Sequence, residues 1–384
     1  MNSSSGGNSN SSLNSDIHYG LPLDTNHIHN FNDIVSAFQL TEPEKNMLIK
    51  NGFAVIRHPT LQYKSTYVFP SDISKVYEKV RMYGAPIVVT SDSLLHVFHT
   101  TLDSILKTME EELLFDKVLK LTKMFLSEST AIFNIYTNSN IAYFTVALKL
   151  LNHEEEVPQY VADLVTSELT NIHSSSLISN SPIFGYQVDY TQFSIRGHYS
   201  DSEKLQRYFK ALMWYGIMNF KISNQAQLIQ AALIAQILSK NKMIENEFGS
   251  VKLITDYFIG LADDIEPYEF LKAIESLVNG NFSYDYLGQE EFLNRLTTAL
   301  KKLPTPKILG GTSLQAAAVS SFSEHVVNQI LDESRGMRLL GQQYTPDSYI
   351  FSKLVHFDHT GDSLPFTAVV APNGKTIRGF PRGP

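Results

Sequence analysis

The sequence predicts a mainly α-helical protein: a multi-helix globular domain with small β additions and a C-terminal hairpin. Three observations point there. Apolar residues recur at helical spacing along most of the chain, capping signals sit where those runs begin, and Gly or Pro follows several of them. With 384 residues, 43% of them hydrophobic, the chain can bury a full apolar core without a disulfide or metal staple.

Residues 1–15 hold seven Ser, four Asn and two Gly, too little apolar surface to offset the entropy of ordering. Residues 1–30 are therefore expected to be a disordered tail and lead-in, with one helical domain over 31–384. Thr41-Glu42-Pro43-Glu44 reads as a capping box with Pro in the first turn, and Asn51-Gly52 ends that helix. Phe53 to Ile56 suits a short strand. A helix fits Ser71 to Tyr83, stopped by Gly84 and Pro86, and Ser91 to about Leu126 is nearly all helix-compatible. Further helices fit 128–152, 155–172, 202–220, 223–240, 243–261, 267–278, 289–302 and 322–334. For 202–220 the expected cap is Ser200 with Glu203, and Leu205, Tyr208, Phe209, Leu212, Met213 and Gly216 share one face. Near the end, Asn373-Gly374 between β-prone runs predicts a hairpin over 366–379.

Composition excludes several functional classes. The balance of 31 basic and 39 acidic residues gives a net charge of −8, which argues against a broad nucleic-acid footprint. No apolar run reaches the length of a membrane span, and no basic region followed by an apolar stretch marks a secretory signal, so a cytoplasmic location is expected. Zero cysteines remove thiol catalysis, thiolate metal sites and disulfides. Phosphate-loop and dinucleotide-binding glycine motifs are missing, and Gly311-Thr312-Ser313-Leu314-Gln315 lacks the closing glycine of a serine-hydrolase elbow. His153-Glu154-Glu155-Glu156-Val157 begins like a zinc-protease helix but has no second histidine in place.

Two clusters are candidates for chemistry. In the helix after Thr90, Asp92, His96, His99 and Asp103 fall within about 60° of one another on the helical wheel, beside an apolar face of Leu95, Phe98, Leu102, Ile105 and Leu106. Such a stripe suits a structural hydrogen-bond network, a divalent-metal site or a His–Asp acid/base couple. The second cluster, Gly185 to Tyr199, is an aromatic-rich loop carrying Tyr186, Asp189, Tyr190, Arg196, His198 and Tyr199. It reads either as a ligand-contacting loop or as a tucked-in loop that completes the core. Were the two clusters one site, His96 or His99 would approach Arg196 or His198. Asp263 to Glu266 before Pro267 reads as helix capping, and Glu110-Glu111-Glu112 and Glu154-Glu155-Glu156 as solvated faces.

At these residues the chain resembles a known family. Pro86 to His99, Tyr190 to Tyr199, Lys210 to Gly216, Ile259 to Tyr268 and Gly341 to Phe351 together resemble the signature of DUF3160, proteins of unknown function, in order between about 50 and 383. The resemblance implies a mostly helical fold, relatives that are often exported and sometimes lipoproteins, and no catalytic residues to carry over. With no cysteine and no signal-like stretch at its start, this chain is expected to differ from those relatives in location. It ends at Gly379 to Pro384, where family members continue, so it is expected to be the N-terminal part of that architecture, truncated at the C-terminus.

The leading expectation is a binding module for a small polar ligand such as a saccharide or peptide, using Tyr186, Tyr190, Arg196 and Tyr199. The alternative is a hydrolase with Asp92, His96, His99 and His198 as catalytic acid/base groups or metal ligands, and a third reading is a truncated scaffold without ligand. Cofactor and metal are left open. Self-association through the unpaired C-terminal hairpin edge is expected.

Overall fold

The computed structural model describes residues 21–54, 73–82, 91–132, 136–175, 178–278, 282–308, 324–346 and 348–350. The structure is mainly α-helical, as the periodicity predicts. The chain divides into two compact units, residues 1–102 and 103–384.

The first unit contains α1 (Phe31–Ala37), α2 (Glu42–Asn51), α3 (Ile73–Met82) and the start of α4 (Ser91–Met109). The predicted capping box is present: Glu44 accepts from the Thr41 backbone N–H and from the Thr41 hydroxyl, both at 2.7 Å. Those bonds hold the Glu44 carboxyl below its usual range. Gly52 ends α2 in the left-handed region at φ 77°, where its lack of a side chain removes the steric penalty. Leu95 and Phe98, expected on the apolar face of α4, are exposed, whereas Leu102 and Leu106 are half-buried.

The second unit adds α5 (Phe115–Ala131), α6 (Thr137–Leu151), α7 (Ala162–Ser174), α8 (Glu203–Ile217), α9 (Gln225–Lys240), α10 (Lys242–Phe258), α11 (Pro267–Val278), α12 (Glu290–Leu300) and α13 (Glu324–Glu333). Every residue of α9 from Gln227 to Leu238 is buried, the pattern of a helix enclosed on all sides. It packs on α11, α10, α5 and α6, while α6 lies between α5 and α8. Tyr143 on α6 sits at the middle of an aromatic cluster with Phe144, Phe184, Trp214, Tyr215 and Phe220, ring centroids 5.0–5.8 Å away. The indole N–H of Trp214 donates to the Tyr143 carbonyl at 3.0 Å, so the buried ring is also satisfied.

Several boundaries differ from expectation. The helix predicted over 128–152 is two helices, because α5 runs on to Ala131 and the chain turns extended at Ile132. No Gly or Pro marks that break, which is why periodicity ran across it. The cap of α8 is Ser202 instead of Ser200: Ser202 Oγ accepts from the Leu205 N–H at 3.2 Å, and Ser200 belongs to a preceding 3-10 turn, Gly197–Ser200. Pro267 opens α11 as predicted. The 366–379 hairpin, the first twenty residues and half of the 53–56 strand lie outside the described residues.

Two small antiparallel pairs complete the unit: β1 (Ile178–Asn180) with β2 (Gln187–Asp189), and β3 (Phe220–Lys221) with β4 (Gly336–Met337). Beside β4 the chain is fastened by its own backbone. Asp263 N–H donates to Gln342 O at 3.0 Å, Tyr344 N–H to Leu261 O at 2.7 Å, and Arg338 N–H to Ile265 O at 3.2 Å. Gly336 has no room for a side chain, since a Cβ would stand 2.5 Å from the Phe220 carbonyl oxygen. Within this seam Asp264 and Arg338 form a buried ion pair at 2.6 Å.

Burial pushes the Asp264 carboxyl from 3.8 up to about 6, against the pull of Arg338. Because the folded value is raised, the stability it contributes is fully present below about 3.8 and is lost as pH rises through about 6. Wild type should therefore gain melting temperature relative to Asp264→Asn on going from about pH 7 to about pH 5, by a few degrees at roughly 2–4 °C per kcal/mol. Thermal melts of both proteins check this, and a difference independent of pH would contradict it.

Candidate functional site

The site is built where α4 ends. Asp103, Lys107 and Glu110 lie at i, i+4 and i+7, on one side of the helix. After Met109 the chain widens into a π-helical turn, Glu110–Leu114, before continuing as α5. Such turns are uncommon and recur at functional sites. Here Glu110 and Glu111 both meet the segment that leads into α8.

That segment is the aromatic loop. Asp189 accepts from the Thr191 N–H at 3.0 Å and from Gln192 Nε2 at 3.0 Å, which starts a 3-10 turn over Tyr190–Phe193. Gly197, at φ 60°, then reverses the chain into the second turn, a conformation that side-chain-bearing residues rarely adopt. This delivers His198 and Tyr199 to α4.

His198 is bound at both ring nitrogens. Nδ1 lies 3.0 Å from Asp103 Oδ1, and Nε2 lies 2.6 Å from Glu110 Oε2. The Tyr199 hydroxyl donates to the other Glu110 oxygen at 2.7 Å, and Ser202 Oγ donates to Glu111 at 2.5 Å. Lys107 Nζ reaches Asp201 at 2.6 Å on the rim. The row runs from inside to water: side-chain exposure is 5% at Glu110, 12% at His198 and 46% at Asp103. Burial raises the Glu110 carboxyl above its usual range, although the bonds from Tyr199 and His198 oppose the shift. Burial, with the Glu110 charge beside it, likewise holds the Tyr199 phenol in its protonated form. A cavity of about 20 Å³ adjoins Glu110, lined also by Tyr208, Leu212, Thr255, Ile259 and Gln343. That volume holds about one water.

A second buried carboxylate anchors the loop from behind. Glu168 on α7 accepts from Ser181 Oγ at 2.6 Å, from the Ile183 N–H at 3.3 Å and from the Tyr190 hydroxyl. Its carboxyl is also raised by burial.

The structure distributes the sequence-predicted residues as follows. Asp103 of the helix stripe and His198 of the loop are brought together. His96 is half-buried and His99 exposed on α4 in the first unit, and the Asp92 side chain lies outside the described residues. Tyr199 reaches Glu110. Arg196 donates to the Gln192 carbonyl at 3.0 Å and stacks 5.1 Å above the Phe209 ring, whose other neighbour is Tyr199. Tyr186 accepts from the Asn219 N–H at 2.8 Å and donates to its carbonyl at 2.9 Å; Tyr190 is fully buried on Glu168.

Glu110 corrects one expectation. The Glu110-Glu111-Glu112 run is not a uniformly solvated face, because the first carboxylate turns inward at the π-turn and is buried. Its spacing of seven from Asp103 was the available signal. Glu168 was also missed, though it falls at i+3 from Val165 and i−4 from Ile172, on the buried face of α7. The carboxylates expected to cap α11 are engaged elsewhere: Asp263 accepts from the Lys307 and Ile308 N–H groups at 2.7 and 2.8 Å, Asp264 pairs with Arg338 and Glu266 with Lys252, while Glu269 accepts from the Glu266 N–H at 3.1 Å.

Among the described residues no group of three His, Asp or Glu side chains is placed to share a metal ion. The reason is visible at His198, whose two nitrogens face different carboxylates on opposite edges of the ring. Among the described residues no helix is long and apolar enough to cross a membrane.

The fold and this site define a helical protein with a carboxylate–imidazole–carboxylate row at a helix-to-loop junction. Residues 41–383 match the family described as a protein of unknown function, DUF3160, and the chain belongs to it. No curated protein and no solved structure matches the chain.

Glu110→Ala should destabilise the fold by about 2–4 kcal/mol, since it orphans the Tyr199 hydroxyl and one edge of His198. Glu110→Gln, which keeps the shape and an acceptor, should cost less than half as much. Urea unfolding measures both; a near-neutral Glu110→Ala would mean that the row adds nothing to stability.

Proposed function

We propose that the protein is a binding module for a small polar ligand, a saccharide or peptide, received at the outer end of the Asp103–His198–Glu110 row. The observation that carries this reading is the state of Asp103. Its carboxylate is nearly half exposed, yet it is oriented by an imidazole that is itself fixed from behind by a buried carboxylate. A hydrogen-bonding group that is both accessible and preorganised loses little entropy when a ligand hydroxyl or ammonium binds it. Lys107 and Asp201, paired on the rim, supply further polar groups beside it, while Arg196 and Tyr199 hold the loop on Phe209 and Glu110. Tyr186 and Tyr190 then act from behind, holding the loop through Asn219 and Glu168.

Hydrolysis by a His/Asp site, with His198 as the acid/base group, is the second reading. One observation favours it: a water-sized cavity beside a carboxyl that burial raises above its usual range. Against it, both nitrogens of His198 are already engaged, and the cavity admits nothing larger than water.

Thermal-shift screening of mono- and oligosaccharides and short peptides against the full chain tests the binding reading. A binder at a hundred times its dissociation constant should stabilise by about 2.7 kcal/mol, and Asp103→Ala should weaken it at least tenfold. A binder unaffected by Asp103→Ala would place the ligand elsewhere. Turnover of chromogenic glycosides or esters that is lost in His198→Ala would instead favour hydrolysis.

A further inference from the structure

We propose that the turn at Gly197–Ser200 is a proton-operated latch: the Asp103–His198–Glu110 row holds one proton more than a neutral imidazole and two carboxylates, and losing it releases His198 from Asp103. The inference does not depend on any ligand.

The geometry requires the extra proton. A neutral imidazole donates from one nitrogen and presents a lone pair at the other. His198 has a carboxylate oxygen at each nitrogen, 3.0 Å and 2.6 Å away. Without an additional proton, one of those contacts sets a lone pair against a carboxylate oxygen, which repels. The proton sits on the ring or on the Glu110 carboxyl, and in either position both hydrogen bonds form.

The other charged and titratable groups around the row do not replace it. From α4 and the π-turn come Asp103, Lys107, Glu110 and Glu111; Lys107 is occupied by Asp201, and Glu111 by Ser202. From the loop and α8 come Arg196, Tyr199, Asp201 and Tyr208. The Tyr199 proton is donated to Glu110 Oε1, and the Tyr208 phenol is kept protonated chiefly by burial. Arg196 is turned toward the Gln192 and Ser194 carbonyls.

Burial decides which end opens. Glu110 is shut off from bulk solvent, its side chain 5% exposed, so a lost donor costs more there and it keeps the one remaining ring N–H. Asp103 faces solvent and can be hydrated, so the outer bond is the one given up. The turn stays attached through Tyr199–Glu110, Ser202–Glu111 and Lys107–Asp201, which makes the change local.

The test uses the isotopically labelled full chain. His198 ring ¹⁵N and Glu110 carboxyl ¹³C shifts together count the protons in the row between about pH 6 and about pH 9. Over the same range, hydrogen-exchange protection of the Asp201 amide, which bonds the His198 carbonyl, reports on the turn. We expect the row to lose one proton and the Asp201 protection factor to fall about tenfold or more, the equivalent of one charge-assisted hydrogen bond. Asp103→Asn, at a solvated position, can accept from or donate to Nδ1, so its protection should not depend on pH. An unchanged proton count with flat protection, or the same step in Asp103→Asn, would overturn the latch.

Discussion

His198 joins the end of α4 to the loop before α8, and much of the local order follows from that one ring. Two hydrogen bonds to carboxylates are worth about 1.5–3 kcal/mol each, whereas fixing the backbone of each loop residue costs about 1–2 kcal/mol. The ring alone therefore cannot order the loop. It succeeds because the rest of the segment is anchored independently: Tyr190 on Glu168, Asp189 as a cap, and Arg196 and Tyr199 against the Phe209 ring. The π-turn is the matching adjustment on the helix. It brings two successive glutamates to the turn, so that Glu110 receives His198 and Tyr199 while Glu111 receives Ser202.

Four of the segments through which the sequence resembles its family, those after residue 189, meet around the same point. Tyr190 to Tyr199 packs against the end of α4. Within Lys210 to Gly216, Leu212 lines the cavity beside Glu110, and Gly216 leaves room for the Leu340 carbonyl, which would stand 3.4 Å from a Cβ. Ile259 and Gln343, from the next two segments, line that cavity as well, and the backbone bonds of Asp263 and Tyr344 tie those segments together. Motifs scattered over some 150 residues of sequence thus surround one buried carboxylate. Within the seam that those backbone bonds form, Asp264 and Arg338 pair with each other.

The helical character was legible in the sequence because apolar periodicity and caps such as Thr41 with Glu44 act within a few residues. Where Gly ended a helix or Pro opened one, as at Gly52 and Pro267, the boundary was legible too. The break at Ile132 was not, since it depends on α6 turning back onto α5. Half of the site followed the same division. The alignment of Asp103 with the helix stripe and the loop chemistry of His198 could be read locally. The burial of Glu110 and Glu168 could not, because a glutamate looks the same in sequence whether water or a tyrosine hydroxyl satisfies it.

The central claim is that Glu110 and His198 act as one unit. A double-mutant cycle of Glu110→Gln and His198→Gln, measured by urea unfolding at neutral pH, tests it most directly. Coupled groups in one buried network should show an interaction energy of about 1.5 kcal/mol or more. Additivity within about 0.5 kcal/mol would contradict the account, for then the imidazole and the carboxylate would be neighbours without a shared role.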